Sequence, residues 1–339
     1  MSTAVLTGGG TAGHVTPALS LIPELRKYFT EIVFIGGNGM EKELVKQANI
    51  PFYSTDTVKL HRKKIWKNFK IPFVLAKGIS EATKILKTLS PDVVFSKGGY
   101  ASLPTCFAAQ KLGSPIVVHE SDYTMGVANK IVSRFAAKTI TSFPETKGGE
   151  CLGNPVRKEL FCGNSQRAKE KYGLSPSKKT ILITGGSLGA LALNEVVYRG
   201  LEKLTSLYNI IHISGKKGNF NIKSDNYIQL PFAYDMADLY AVSDCVVARG
   251  GANTLAEIAA LGKKAVIVPL PKGNSRGDQE DNARSYEKKG LVEVLPQEEL
   301  FVESLLAKIA LALNKKLPPL EFEDAVSKIS EVLANLAKK

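Results

Sequence analysis

Four short segments combine glycines with residues able to hold an anion or move a proton. Gly8-x-Gly10-x-x-Gly13 near the N-terminus runs directly into His14. Lys97-Gly98-Gly99-Tyr100-Ala101-Ser102 forms a second, and Gly185-Gly186-Ser187-Leu188-Gly189 a third. In the fourth, Arg249-Gly250-Gly251-Ala252-Asn253-Thr254 leads on to Glu257. Glycine lets a strand turn sharply into a helix and leaves the helix's first N–H groups open to an anion. Several such loops imply a ligand with more than one phosphate. Asn253 or Thr254 is expected to cap the helix of the fourth segment. Glu257, about one turn inside, can then accept both hydroxyls of a ribose diol. The first loop formally satisfies a dinucleotide fingerprint. Such a site also wants a carboxylate closing the second strand, and residues 32–35 end instead in Gly36-Gly37-Asn38, which argues against NAD.

Loops of this kind need parallel strands behind them. The opening Ala4-Val5-Leu6-Thr7-Gly8-Gly9-Gly10 is echoed roughly half a chain later by Ile181-Leu182-Ile183-Thr184-Gly185-Gly186-Ser187. Two doubly wound α/β domains follow as the expectation. Apolar runs at 32–35, 92–95 and 115–118 read as buried central strands of the first domain. Runs at 180–184, 210–213, 244–248 and 265–269 do so for the second, with His212 expected in its core. The turn-rich Gly153-Asn154-Pro155 suggests domains at 1–155 and 156–320, with 321–339 a C-terminal segment. Its helical pattern over 322–337 sets Val326, Ile329, Leu333 and Leu336 on one face, which must pack against something.

The 339-residue chain carries 45 Lys and Arg against 32 Asp and Glu, a net charge of +13 that calls for an anionic partner. The charge concentrates between residues 59 and 73. There Lys63, Lys64, Lys67 and Lys70 interleave with Ile65, Trp66, Phe69 and Phe73, and His61 reads as a surface residue. Cations with interfacial aromatics suit an anionic phospholipid surface, at about 1 kcal/mol per basic residue. A nucleic-acid partner would leave the glycine loops unexplained, so none is expected. The four cysteines and four histidines are scattered without metal-ligand spacing, and no run of 18 apolar residues exists. With no secretion signal at the start, a reducing cytoplasm is the expected compartment.

Taken in order, these motifs resemble the MurG family, the UDP-N-acetylglucosamine transferases that make lipid II for peptidoglycan. The resemblance runs from Thr7-Gly8-Gly9-Gly10-Thr11-Ala12-Gly13-His14-Val15 to Gly277-Asp278-Gln279-Glu280-Asp281-Asn282-Ala283. Between these lie Gly98-Gly99-Tyr100, His119-Glu120-Ser121, Gly153-Asn154-Pro155-Val156-Arg157 and the Arg249 to Glu257 segment. It implies a GT-B architecture: two Rossmann-like domains of doubly wound parallel sheet facing each other across a cleft. The C-terminal helix would return to the first domain. It also implies inverting transfer of GlcNAc from UDP-GlcNAc to the C4 hydroxyl of MurNAc in lipid I, at the cytoplasmic face of the membrane. His14 is implied as general base. It precedes Thr16-Pro17, read as a cap-plus-proline helix start, and a helix N-terminus favours the neutral ring that a base requires.

The donor side is implied to comprise Thr11, Ala12, Gly13, Asp122, Arg157, Ser187, Ala233, Asn253, Thr254, Glu257, Asp278 and Gln279. Ser187 would take a UDP phosphate, Arg157 approach the nucleotide, Ala233 meet uracil through its backbone, and Gln279 read GlcNAc hydroxyls. The acceptor side is implied to comprise Gly10, Gly98, Gly99, Tyr100, Ser102, His119 and Glu120, the last two also readable as a buried supporting pair. Asp122 and Asp278 depart from relatives that carry Asn and Gln there. No Asp-x-Asp pair occurs, so no metal or other cofactor is expected, and amides and basic side chains would carry the pyrophosphate charge. Other readings are a diacylglycerol-glycosylating synthase of the same fold, a soluble UDP-GlcNAc epimerase, and a non-catalytic UDP-sugar-binding protein.

Overall fold

In a computed structural model, the structure describes residues 2–57, 69, 71–186, 190–215, 218, 222, 224–272, 277–319 and 324–338. The chain forms two compact units, Met1–Val156 with Glu323–Lys339, and Arg157–Phe322.

Unit one is built on β1 (Thr3–Thr7), β2 (Glu31–Gly36), β3 (Phe52–Ser54), β4 (Val93–Ser96), β5 (Ile116–Glu120), β6 (Lys138–Thr141) and β7 (Glu150–Cys151). Their order is β3-β2-β1-β4-β5-β6-β7, with every pair parallel. Side chains alternate across the sheet. Ala4 and Leu6 of β1 join one core layer, while Val5 joins the opposite one with Ile35, Val94 and Val118. Both faces are therefore dry, as strands without polar alternation require. The C-terminal helix, Ala325–Ala337, is capped by Asp324, whose carboxylate accepts the Ser327 N–H. Val326, Ile329 and Leu333 of its apolar face are buried in the layer that holds Ala4 and Leu6. The helix begins at Ala325, three residues later than its pattern suggested, where this cap becomes available.

Unit two repeats the plan with β8 (Lys179–Thr184), β9 (Tyr208–Ile213), β10 (Tyr227–Leu230), β11 (Cys245–Ala248), β12 (Ala265–Ile267) and β13 (Glu293–Val294). The order is β10-β9-β8-β11-β12-β13, again entirely parallel. In each unit the chain reverses its direction of strand addition once, between β1 and β4 and between β8 and β11. Such a switch point opens a crevice beyond the carboxyl ends of the two strands. The registers Thr7↔Ser96 and Thr184↔Ala248 bring the glycine loops out side by side at these points.

Candidate functional site

In unit one, the two loops at the switch point pack into each other. Gly10 and Gly99 have φ of +84° and +79°, which glycine alone adopts freely. A Cβ on Gly99 would lie 2.3 Å from the Gly9 carbonyl oxygen and 3.1 Å from His14 Cδ2. One on Gly10 would lie 2.5 Å from the Tyr100 ring. His14, Gly10, Gly99 and Tyr100 are therefore neighbours. Gly99→Ala is expected to destabilise unit one by at least about 1–2 kcal/mol, the cost of a left-handed L-residue alone. Urea denaturation with an unchanged midpoint would contradict this packing.

His14 belongs to the Ala12–Leu19 helix, with Thr11 at the N-cap and Ala12 and Gly13 before it in the first turn. The expected start at Thr16-Pro17 is thus corrected: Pro17 lies inside a helix that begins five residues earlier, at Ala12. The turn starts as soon as the glycines end, and the His14 N–H donates to the Thr11 carbonyl at 3.1 Å. The ring still stands at a helix N-terminus, where a cation is disfavoured. Beneath the loop lies a carboxylate that sequence reasoning missed. Glu41 is buried, and its Oε2 accepts the Gly10 N–H at 3.5 Å. Cβ atoms on Gly9, Gly37 and Gly39 would each come within 3 Å of its carboxylate oxygens. The glycines after β2 thus make room for an acid of the following helix. Burial and the Glu41 charge together raise the Tyr100 hydroxyl above its usual range.

Behind these loops sits a buried polar network. Lys97, at the end of β4, is 1% exposed, and its Nζ contacts His119 Nδ1 at 2.6 Å, Asn154 Oδ1 at 3.2 Å and Ser121 Oγ. Three acceptors match the three protons of an ammonium. Burial nonetheless drives Lys97 down to about 7, against the opposing charges of Glu120 and Asp122. His119 Nδ1 then accepts, so its Nε2–H donates to the Gly153 carbonyl at 2.9 Å. Burial and the lysine charge hold the imidazole well below 6.5. Glu120 is equally engaged: it accepts the N–H groups of Asp122 at 2.9 Å and Gly126 at 2.8 Å, and the Asn129 amide at 2.8 Å. Ser102 Oγ donates to the Gly99 carbonyl at 2.9 Å, and Asn129 lies against Gly98. His119, Glu120 and Ser102 are thus engaged within unit one, around the glycine loops.

In unit two, Glu257 lies in the Ala252–Ala260 helix, whose N-cap is Gly251. Asn253 and Thr254, expected as caps, stand two and three positions inside, in the first turn, because Gly251 itself takes the extended cap conformation. Arg157 Nη2 lies 3.3 Å from Glu257 Oε1, and the Tyr240 hydroxyl donates to Oε2 at 3.0 Å. Arg157 Nε is buried without a hydrogen-bond partner. Ala233 is buried between Phe232 and Tyr234, whose exposed rings meet edge-on at 4.8 Å. Gln279 and Asp278 open the Asp278–Lys288 helix. Gln279 Oε1 accepts the Leu270 N–H at 3.0 Å, and Gly250 packs on the Gln279 backbone. The Arg249 guanidinium, buried under this loop, donates to the Val268 carbonyl at 3.1 Å. The loops after β11 and β12 are thereby fastened together. Ser187, His61, Lys63, Lys64, Ile65, Trp66, Lys67 and Lys70 lie outside the described residues. Phe69 and Phe73 are exposed.

The glycosyltransferase family 28 N-terminal domain matches residues 4–141, and the family 28 C-terminal domain matches residues 180–337. A Clostridium perfringens protein is 43% identical over 316 residues, 90% of this chain and 88% of its own length. The chain belongs to glycosyltransferase family 28. That relative is named UDP-N-acetylglucosamine--N-acetylmuramyl-(pentapeptide) pyrophosphoryl-undecaprenol N-acetylglucosamine transferase. A Clostridium botulinum protein of the same name is 41% identical, over 91% of this chain and 90% of its own. Among solved structures, Acinetobacter baumannii MurG superposes with a TM-score of 0.73 at 28% identity, covering 100% of this chain and 99% of its own. The glycosyltransferase of kitacinnamycin, at 14% identity, shares the fold with a TM-score of 0.71 over 99% of this chain and 94% of its own. In this family 28 chain, Glu41 and Tyr240 lie outside every motif, while Lys97 and Asn154, each inside one, meet only in the fold.

Proposed function

We propose that the chain is an inverting transferase that moves N-acetylglucosamine from UDP-GlcNAc to the C4 hydroxyl of MurNAc in undecaprenyl-pyrophosphoryl-MurNAc-pentapeptide (lipid I), giving lipid II. The observation that carries this reading is the likeness to transferases of that name, at 41–43% identity over about nine-tenths of the chain. In the reaction the acceptor oxygen bonds to the anomeric carbon as the bond from that carbon to the UDP oxygen breaks. The electron pair leaves with UDP, and the hydroxyl proton passes to the His14 imidazole. Glu257 and Arg157 serve the nucleotide, with Ala233 offering its backbone to uracil and Gln279 reading the sugar. Ser187 and the amides around it, together with the Asn253 and Thr254 turn, meet the diphosphate. Gly10, Gly98, Gly99 and Tyr100 form the acceptor surface, braced by His119, Glu120 and Ser102. The nucleotide assignment is tested by calorimetry with UDP and ADP: UDP is expected to bind and ADP to bind far more weakly, and equal affinity would refute it.

Among the described residues no helix is long and apolar enough to cross a membrane. The acceptor's lipid tail nevertheless places the reaction at a bilayer. The lysines between 63 and 70, with Trp66 and the exposed Phe69 and Phe73, would give reversible attachment to anionic phospholipid at the cytoplasmic face. Binding to vesicles is expected to need acidic lipid and to fall as salt rises; sedimentation that ignores lipid charge would contradict this.

A further inference from the structure

Tyr240 lies on the Met236–Val242 helix and is 1% exposed, the largest of the fully buried side chains among the described residues. A hydroxyl at such depth must find a partner, and this one finds Glu257 Oε2 at 3.0 Å. Burial and the neighbouring Glu257 charge hold the phenol well above 10, so it remains a donor throughout the physiological range. The other carboxylate oxygen faces Arg157 Nη2 at 3.3 Å, from a side chain that is 37% exposed. A carboxylate has about four acceptor sites. Tyr240 and Arg157 take one on each oxygen, which leaves one on each for a pair of adjacent hydroxyls. Of the two braces only the tyrosine is fixed by core packing. The segment that carries it begins just beyond Ala233, so one element would present backbone to the base and orient the ligand of the ribose.

We infer that Tyr240 is a positioning residue that sets the Glu257 carboxylate for the ribose diol of a uridine nucleotide. The inference rests on the reading of Glu257 as the ribose ligand. Affinities of UDP and 2′,3′-dideoxy-UDP for the full-length protein separate the two. The unaltered protein is expected to prefer UDP by about tenfold or more, the worth of hydrogen bonds to a charged group. In Tyr240→Phe the preference is expected to shrink to about threefold or less. Affinity for the dideoxy nucleotide should barely change, a split that general destabilisation does not produce. Tyr240→Met, equally without a donor, gives a second reading of the same ratio, and Glu257→Gln should weaken it as well. A preference kept in full by both Tyr240 variants overturns the inference while leaving the ribose reading intact. No preference in the unaltered protein overturns both.

Discussion

His14→Ala is expected to lower turnover by about 10²- to 10⁴-fold, the usual worth of a positioned general base. The geometry behind this is local to unit one. The imidazole stands in the first turn of the Ala12–Leu19 helix, close against Gly99, with Tyr100 across Gly10. Glycine at 99 gives the ring its place, since any Cβ there would press on both the Gly9 carbonyl and His14. Calorimetric affinity for UDP should change little, because Arg157, Ala233 and Glu257, the residues proposed for the uridine, belong to unit two. Steady-state kinetics at varied lipid I then assign the role. A fall in kcat at unchanged KM marks the base. A rise in KM with kcat preserved would instead make His14 a ligand of the acceptor phosphate, and near-normal turnover would remove it from the mechanism.

The second large effect is on stability. Between pH 6.5 and about 4, unit two is expected to lose about 3 kcal/mol on account of His212 alone. This ring, fully buried on β9, contacts the Tyr227 hydroxyl through Nδ1 and Asn194 Oδ1 through Nε2, both at 2.9 Å. The Asn194 amide nitrogen donates to the Ser214 carbonyl, so its oxygen is the acceptor and Nε2 carries the proton. Nδ1 in turn accepts from Tyr227, and the neutral ring is satisfied at both ends. Burial lowers its titration from 6.5 to about 4. Well above pH 6.5 the folded and unfolded rings are both neutral, and the contribution is fully present. As pH falls further, the unfolded chain takes up a proton that the folded one refuses, and stability drains until the folded ring titrates near 4. Denaturation of the unaltered protein and of His212→Gln from pH 7 to 4 checks this. The unaltered profile should fall more steeply, and parallel profiles would contradict the assignment.

The central strands were legible because burial on both faces leaves mainly apolar runs, as in β1, β2, β4, β5, β8, β11 and β12, and in β9, where His212 interrupts the run. The edges were not. β3, β7 and β13 are two or three residues long, and their side chains are largely exposed or only partly buried, so no pattern separates them from loop. Glycine loops announced themselves, since only glycine suits a positive φ such as that at Gly10 or Gly99. What those loops rest on did not. The Lys97-Gly98-Gly99 segment shows a lysine beside a glycine turn, but not that His119, Ser121 and Asn154, distant in sequence, converge on it and bury it. Glu41 is hidden for the same reason, its niche being made by glycines of two separate loops. Glu257 could be placed from its helix position, but Tyr240 looks like any core aromatic until its hydroxyl is seen to meet that carboxylate. Thr16-Pro17 misled because the pair imitates a helix start inside a helix already under way.

Mixing the enzyme with radiolabelled UDP-GlcNAc, lipid I and anionic vesicles tests the central claim most directly. One labelled, β-linked disaccharide lipid should appear for each UDP released, and diacylglycerol offered in place of lipid I should take up no label. Label passing to diacylglycerol, or UDP-GlcNAc left intact beside lipid I, would contradict the account.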